Sequence, residues 1–235
     1  MQSGTLHLIP NFLDVNSPHT IPAYLVQVVT DIKIWYVEEI RSARRYLKAM
    51  NRDIIIDNLN FHILNEHENA SLKFAATFLQ EGKDIGMISE SGCPAVADPG
   101  SALVQIAHEI NATVKPHTGP NSILLALMGS GFNGQHYQFN GYLPNKQPML
   151  TQKILDLEKE SKLRNVSQFF IETPYRNDQM IREILKTCQP ETRFCVAANL
   201  TTPNERILSL SIKKWKTVTE SFHKKPAVFG LYCSD

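Results

Sequence analysis

The most informative segment of this sequence reads Ser89-Glu90-Ser91-Gly92-Cys93-Pro94-Ala95-Val96-Ala97-Asp98-Pro99-Gly100. It is predicted to connect a strand at residues 85–89 to a helix that ends near residue 110, with Asp98 as the N-cap and Pro99 in the first helical position. Open α/β sheets bind ligands at this kind of strand-to-helix edge. Gly92 and Gly100 allow close approach of a backbone. A rigid crossover turn without a ligand explains the same composition, so both interpretations stay open.

A second loop of the same kind reads Pro116-His117-Thr118-Gly119-Pro120-Asn121-Ser122. It follows a predicted strand at residues 113–116 and precedes a predicted apolar helix at residues 122–128. Free N–H groups at the helix start would suit an anion, although an ordinary capped helix has the same features. Because both loops follow neighbouring strands, we expect them to face one crevice. The chain contains neither a Gly-x-Gly-x-x-Gly nor a P-loop pattern, which argues against nicotinamide enzymes and P-loop NTPases.

Strands and helices alternate on both sides of these loops in the first half of the chain. Further strands are predicted at residues 5–10, 32–37 and 61–64, with helices at 21–29, 40–52, 71–79 and 99–110. This alternation predicts a mainly parallel sheet covered on both faces. The second half is less regular, with strands predicted at 167–172, 193–198 and 227–233. The predicted fold is therefore α/β with two α/β domains, at residues 1–116 and 117–235.

Composition limits the classes of function. The chain is 43% hydrophobic and 20% charged, as globular proteins are, and its net charge of +1 leaves nucleic-acid contact to a local patch. The four cysteines form no Cys-x-x-Cys pair and show no metal-ligand spacing with histidines, so we predict neither a disulfide scaffold nor a metal. With no apolar run of membrane-spanning length and no signal-peptide pattern, we expect a cytoplasmic protein without a membrane partner.

The predicted helix at residues 40–52 carries one local basic patch. Ile40, Ala43, Leu47 and Met50 recur at helical spacing on its apolar side. An adjacent face carries five cations, Arg41, Arg44, Arg45, Lys48 and Arg52. Such a face suits phosphate contact, and a merely solvated face has the same pattern. We predict that Arg41, Arg44, Arg45 and Lys48 bind an anionic substrate.

Taken in order from Gly4 to Tyr232, several segments resemble the tetrapyrrole methylase superfamily of S-adenosylmethionine-dependent methyltransferases. The resemblance is strongest to the branch that 2′-O-methylates a cytidine of small-subunit ribosomal RNA. The similar segments are Gly4-Thr5-Leu6-His7-Leu8-Ile9-Pro10, Glu38-Glu39-Ile40-Arg41, Leu64-Asn65-Glu66-His67, Ser89 to Gly100, Gly119-Pro120-Asn121-Ser122, Phe139-Asn140-Gly141-Tyr142-Leu143-Pro144 and Phe170-Ile171-Glu172-Thr173-Pro174-Tyr175-Arg176. The chain departs from the branch's pattern at residues 11–14, at Cys93 and at Asn199.

The resemblance implies that S-adenosylmethionine lies in a cleft between the two domains and that the protein is a homodimer. By position in the motifs it assigns cofactor binding to Pro10, Gly92, Cys93, Pro94, Val96, Asn121, Ser122, Thr173 and Asn199. Its implied function is methyl transfer to RNA, at a ribose 2′-hydroxyl of ribosomal RNA. Methylation of a tetrapyrrole or another small acceptor is one alternative, and a non-catalytic S-adenosylmethionine-binding protein is another.

A sugar hydroxyl acceptor benefits from a general base, and four side chains are candidates. Glu38, Glu39 and His67 are the predicted catalytic residues. For the two glutamates, favourable charge at a helix N-terminus is an equally good explanation. For His67 the simpler interpretation is a surface histidine. Asp98 is better explained by its predicted N-cap role.

Overall fold

The computed structural model describes residues 3–64 and 69–233 of the chain. They divide into two compact units, Met1–Asn121 and Ser122–Asp235, called here the N-terminal and the C-terminal unit. This division falls a few residues after the boundary proposed from the sequence at residue 116. The reason is that the loop after residue 116 packs on the N-terminal unit, where the Cys93 thiol lies 3.5 Å from the Pro120 carbonyl oxygen.

Five parallel strands form the sheet of the N-terminal unit. They are β1 (Thr5–Ile9), β2 (Ile34–Val37), β3 (Asn60–Ile63), β4 (Ile85–Ile88) and β5 (Thr113–Pro116). Their order across the sheet is β3-β2-β4-β1-β5, with parallel pairing throughout the described strands. The chain proceeds to one side from β1 to β3 and to the other side from β4 to β5, so its direction reverses beside β1 and β4. The predicted α/β class with a mainly parallel sheet is confirmed.

Helices cover both faces of this sheet, as predicted. They are α1 (Leu25–Asp31), α2 (Ile40–Met50), α3 (Asn69–Gln80) and α4 (Ser101–Glu109). Trp35 and Val37 point to the face that packs with α1 and α2, whereas Ile34 and Tyr36 belong to the opposite core cluster with α3 and α4. This alternation is the period-two pattern of a strand buried on both sides.

Two helix starts differ from the sequence prediction. The helix predicted from residue 21 begins only at Leu25, because Pro22 lies in a turn whose carbonyl accepts from the Leu25 N–H. Asp98 is not the N-cap of α4; that prediction is wrong. Gly100 is the N-cap, with φ of 127°, and a Cβ there would lie 2.6 Å from the Met87 sulfur. Only glycine fits this backbone and this space.

The C-terminal unit has a mixed sheet. Its strands are β6 (Tyr137–Tyr142), β7 (Ser167–Ile171), β8 (Arg193–Ala198), β9 (Arg206–Ser211) and β10 (Ala227–Tyr232), in the order β6-β7-β10-β8-β9. The central strand β10 runs antiparallel to both β7 and β8. The sequence prediction missed the two edge strands, β6 and β9. Strand β6 contains Asn140 and Gly141, residues typical of a turn, and its register shifts between Phe139 and Tyr142.

Four helices complete the C-terminal unit, and the shortest was also missed. They are α5 (Ser122–Ser130), α6 (Met149–Arg164), α7 (Asn177–Thr187) and α8 (Ile212–Trp215). Helices α6 and α7 bury Ile154, Leu157 and Ile184 in one core cluster that includes Phe170 and Phe229. Within the part of the chain that the structure describes, no helix is long and apolar enough to cross a membrane.

Candidate functional site

Three loops meet at the carboxyl edge of the N-terminal sheet. They follow β1, β4 and β5, which are neighbours in the sheet, at the place where the direction of the chain reverses. Asn11 joins the first loop to the second: its backbone N–H donates to the Gly92 carbonyl at 2.8 Å, and its side-chain amide donates to the carbonyls of Ser89 and Glu90 at 2.9 and 3.1 Å. Its side-chain oxygen accepts from the Phe12 N–H. Buried Asn11 thus fixes two site loops through its backbone N–H and its side-chain amide.

Glycine at two positions lets these loops pack closely. A Cβ on Gly119 would lie 2.1 Å from Cβ of Pro10, so the loops after β1 and β5 touch through a position that accepts no side chain. Gly92 has φ of 74°, a left-handed conformation that favours glycine. Tyr46, on α2, holds the same edge by donating from its hydroxyl to the Pro10 carbonyl at 2.8 Å.

The predicted cofactor residues of the N-terminal unit gather at this edge. The Cys93 thiol lies 3.5 Å from the Pro120 carbonyl, and the Asn121 side chain is hydrogen-bonded to it. Burial raises the pKa of this thiol, which favours the neutral thiol over the nucleophilic thiolate. Pro94 is buried, whereas Val96 is 43% exposed and offers an apolar surface beside the glycine loops.

The predicted acids have different environments at the same edge. Both carboxylate oxygens of Glu39 are used in capping α2, accepting from the N–H groups of Arg41 and Ser42 at 2.8 and 2.7 Å. Glu38 accepts a long hydrogen bond, 3.3 Å, from the Glu90 N–H. Burial, and then the nearby charges of Asp98 and Glu90, raise the pKa of the Glu38 carboxyl. Burial followed by the charge of Glu90 also raises the pKa of Asp98.

Glu38 therefore has the electrostatic properties of a general base, whereas Glu39 is engaged in the helix cap. The third predicted catalytic residue, His67, lies outside the described residues. Catalytic roles for all three remain predictions.

The basic face of α2 begins beside the loop after β4. Ser42, in the first turn of α2, donates a hydrogen bond to the Glu90 carboxylate. The predicted substrate-binding residues are all exposed, and the ion pairs of the described residues include none of them; they are Arg41, Arg44, Arg45 and Lys48. Two have further contacts: Arg44 lies over the Phe61 ring at 5.5 Å, and the Lys48 ammonium donates to the Arg52 carbonyl at 2.8 Å.

The predicted cofactor residues of the C-terminal unit follow two strands of its sheet. Thr173 comes after β7 and Asn199 after β8, and these strands run parallel because each is antiparallel to β10. Both residues therefore lie at one edge of the sheet, where the Asn199 N–H donates to the Pro226 carbonyl. Ser122 begins α5. The predicted location of the cofactor in a cleft between the domains stays a prediction.

Sequence reasoning missed three groups that shape the site. Asn11 was noted only as a departure from a motif, Tyr46 was not singled out, and His117 was seen only as part of a loop. Nothing local in the sequence marks their partners, since Asn11 bonds residues 78 and 79 positions away and Tyr46 one 36 positions away. Among the described residues, no group of three or more His, Cys, Asp or Glu side chains could hold a metal ion.

Comparison with known proteins gives consistent matches. The family model described as Tetrapyrrole (Corrin/Porphyrin) Methylases matches residues 29–215. A ribosomal RNA small subunit methyltransferase I of Micromonospora olivasterospora is 28% identical over 88% of this chain, and the chain spans 62% of that relative's length, less than two thirds. The protein of the same name from Buchnera aphidicola of Schizaphis graminum is 26% identical, with 95% of this chain and 76% of that relative covered.

Solved structures match the fold over nearly the whole chain. The methyltransferase CobJ superposes with a TM-score of 0.62 at 16% identity, covering 99% of this chain and 95% of the other. Uroporphyrin-III C-methyltransferase of Thermus thermophilus, in complex with S-adenosylhomocysteine, has a TM-score of 0.52 at 14% identity, with 97% of each chain covered. At these low identities the superpositions establish the shared fold.

Proposed function

Because this chain belongs to the tetrapyrrole (corrin/porphyrin) methylase family, we propose that it is an S-adenosylmethionine-dependent methyltransferase that acts on ribosomal RNA. The family match confirms the family predicted from the sequence and supports the predicted class of enzyme. The RNA acceptor is supported by relatives named as small subunit ribosomal RNA methyltransferases that align with most of this chain. We further propose that the protein works in the cytosol as a homodimer.

One structural observation carries the choice of RNA. The Ser42–Glu90 hydrogen bond places the start of the basic face of α2 next to the loop after β4, which is a predicted cofactor loop. Cations at this position suit an acceptor that carries several phosphates. A small acceptor would leave most of this charged face unused.

The residues at the sheet edge fit an adenosyl cofactor. Gly92 and Gly119 keep side chains away from the place where the three loops meet. Val96 supplies exposed apolar surface for a flat ring, and the Asn121 amide supplies hydrogen-bonding capacity. Bound at this edge, S-adenosylmethionine would supply a methyl group on an activated sulfur.

The chain's own residues then have three tasks. The glycine-bearing loops exclude water and align the acceptor with the methyl group, because alignment contributes most of such a transfer. The α2 cations hold the RNA backbone. Glu38, with its raised pKa, takes the proton from the ribose hydroxyl as the oxygen attacks, and releases it to solvent afterwards. The departing sulfur needs no proton, so no general acid is required.

The experiment is methyl transfer from radiolabelled S-adenosylmethionine to isolated small ribosomal subunits, with uroporphyrinogen as the competing class of acceptor. We expect label in the ribosomal RNA and none in the tetrapyrrole. Nuclease digestion would then locate the label on a ribose. The control is the Gly92→Trp variant, which fills the crevice and should bind no cofactor. Label in the tetrapyrrole alone would establish the small-acceptor alternative, and cofactor binding without transfer to either acceptor would indicate a non-catalytic binding protein.

A further inference from the structure

Tyr175, His223 and Lys224 form a patch at the edge of the C-terminal sheet that also carries Thr173 and Asn199. We call these three residues the tyrosine patch. The Tyr175 side chain is 70% exposed. The His223 ring stands edge-on to it, with centroids 5.9 Å apart and planes at 75°, and the Lys224 ammonium lies 5.7 Å from its centroid. The Tyr175 ring therefore does not pack in the core, and it is flanked by two side chains that can carry positive charge.

The two segments that form the patch are fixed rigidly to each other. Asn177 is fully buried, and its amide donates to the carbonyls of Phe222 and Lys225 at 3.0 and 2.7 Å. Asp178 accepts from the Phe222 N–H and the Ser221 hydroxyl at 2.8 and 2.6 Å. The Lys224 N–H donates to the Pro174 carbonyl at 2.8 Å. Because these bonds fix the backbone that carries the ring, little ordering of the two segments is needed when a partner binds.

Positive charge predominates around the patch, although the Asp178 carboxylate also interacts with His223. Residues 213–225 contain five lysines and a single glutamate, Glu220. Glu220 pairs with Lys225, and the Arg176 guanidinium pairs with buried Glu172. Lys224 occurs in none of the ion pairs between described residues. Its ammonium is therefore available to an anionic partner, such as a phosphate.

We propose that the tyrosine patch binds one unpaired nucleotide of the RNA acceptor, with the base stacked on Tyr175 and the phosphate held by Lys224. This inference rests on the proposed function. Stacking of splayed bases on aromatic side chains is the usual way in which proteins recognise single-stranded RNA. A ribose 2′-hydroxyl can align with a methyl group only if its nucleotide is held in place, and the patch supplies that hold at the edge that carries the predicted cofactor residues Thr173 and Asn199.

The test is fluorescence anisotropy of the full chain with a labelled single-stranded RNA of mixed sequence. Tyr175→Ala should weaken binding about 5- to 100-fold, the range that removal of one stacked base produces. Lys224→Gln should flatten the dependence of log affinity on log salt by about one unit. Tyr175→Trp should keep the wild-type affinity. Because position 175 is exposed whereas Trp35 and Trp215 are buried, the RNA should reach the new indole and quench its emission.

The matched control is Tyr137→Ala, which removes another exposed tyrosine at the start of β6, the opposite edge of the same sheet. It should leave RNA binding unchanged, and none of the variants should alter S-adenosylhomocysteine affinity. Wild-type RNA affinity in Tyr175→Ala would contradict nucleotide binding by the tyrosine patch and would leave the proposed function unaffected. If Tyr175→Ala lost uroporphyrin binding and kept RNA binding, the ligand of the tyrosine patch would be a small acceptor and not a nucleotide. Failure of the wild-type chain to bind RNA would overturn both proposals.

Discussion

The Nδ1 atom of His7 lies 3.0 Å from the Nε2 atom of His117, so one imidazole donates a hydrogen bond to the other. His7 lies in β1 and His117 follows β5, and the Tyr24 hydroxyl continues the chain of hydrogen bonds 3.2 Å from Nδ1 of His117. This arrangement ties the loop after β5 to the strand beside it. Burial, followed by the charges of His7 and Lys115, lowers the pKa of His117 to about 4.

We expect His117 to make folding stability depend on pH in the mildly acid range. Its folded pKa lies below the ordinary value of 6.5, so between these values the unfolded chain binds more protons. The stabilisation is complete above about pH 6.5 and is lost as the pH falls towards 4. A shift of this size sets an upper limit of about 3 kcal/mol, and screening by solvent makes the loss smaller. Unfolding free energies measured with urea between pH 4 and 6.5 should depend less steeply on pH in His117→Asn than in the wild type. Exposed His19→Asn is the control, and equal slopes in all three proteins would exclude the effect.

Gly119→Ala should damage the cofactor site by overpacking. The added Cβ would approach Pro10 to 2.1 Å and push apart the loops after β1 and β5. We expect a loss of about 1 to 3 kcal/mol in unfolding free energy and weaker S-adenosylhomocysteine binding by calorimetry. Gly134→Ala is the control, because a Cβ there has no neighbour within 4 Å. Unchanged cofactor affinity in Gly119→Ala would place the cofactor elsewhere.

Glu38→Gln should slow catalysis strongly and leave cofactor affinity intact. Loss of a general base costs about 10²- to 10⁴-fold in kcat. In the wild-type enzyme the raised pKa of Glu38 should place the acid limb of the pH–rate profile above the ordinary range of a glutamate, with activity lost as the pH falls through it. Glu39→Gln should instead cost about 1 kcal/mol of stability, because it weakens a helix cap. A normal rate in Glu38→Gln would assign the proton transfer to another group.

Replacing Arg44 and Arg45 by Ala should weaken RNA binding and reduce its salt dependence. Each phosphate that the variant no longer neutralises lowers the log–log slope by roughly one unit. Lys48 is left in place because its ammonium donates to the Arg52 carbonyl in the turn after α2. Stability should fall by about 1 kcal/mol at most, the contribution of an exposed interaction such as that of Arg44 with the Phe61 ring. The control is Arg182→Ala with Lys186→Ala, an equal charge change on exposed positions of α7. Parallel salt plots for the wild type and the Arg44/Arg45 variant would mean that this face is only solvated.

Particular elements explain which predictions succeeded. Strand β4 and α2 were expected close to the bounds where they occur, because buried strands and amphipathic helices carry their period in consecutive residues. Strands β6 and β9 were missed because an edge strand is half exposed and tolerates residues such as Asn140, Gly141 and Ser209. The N-cap of α4 was misplaced because the choice between Asp98 and Gly100 depends on Met87, which lies in β4.

The sequence by itself determined the α/β class, the family and the two loops that contain Gly92 and Gly119, since each of these is recorded in residues that are close together in the chain. Only the tertiary structure decided which contacts the loops make with each other. Asn11 bonds the loop after β4, Gly119 packs on Pro10, and His7 meets His117 across 110 positions. Strand order brings these residues together, and strand order is set by the packing of the whole sheet. The same holds for Tyr175 and Lys224, which are neighbours because buried Asn177 binds the backbone of a distant loop.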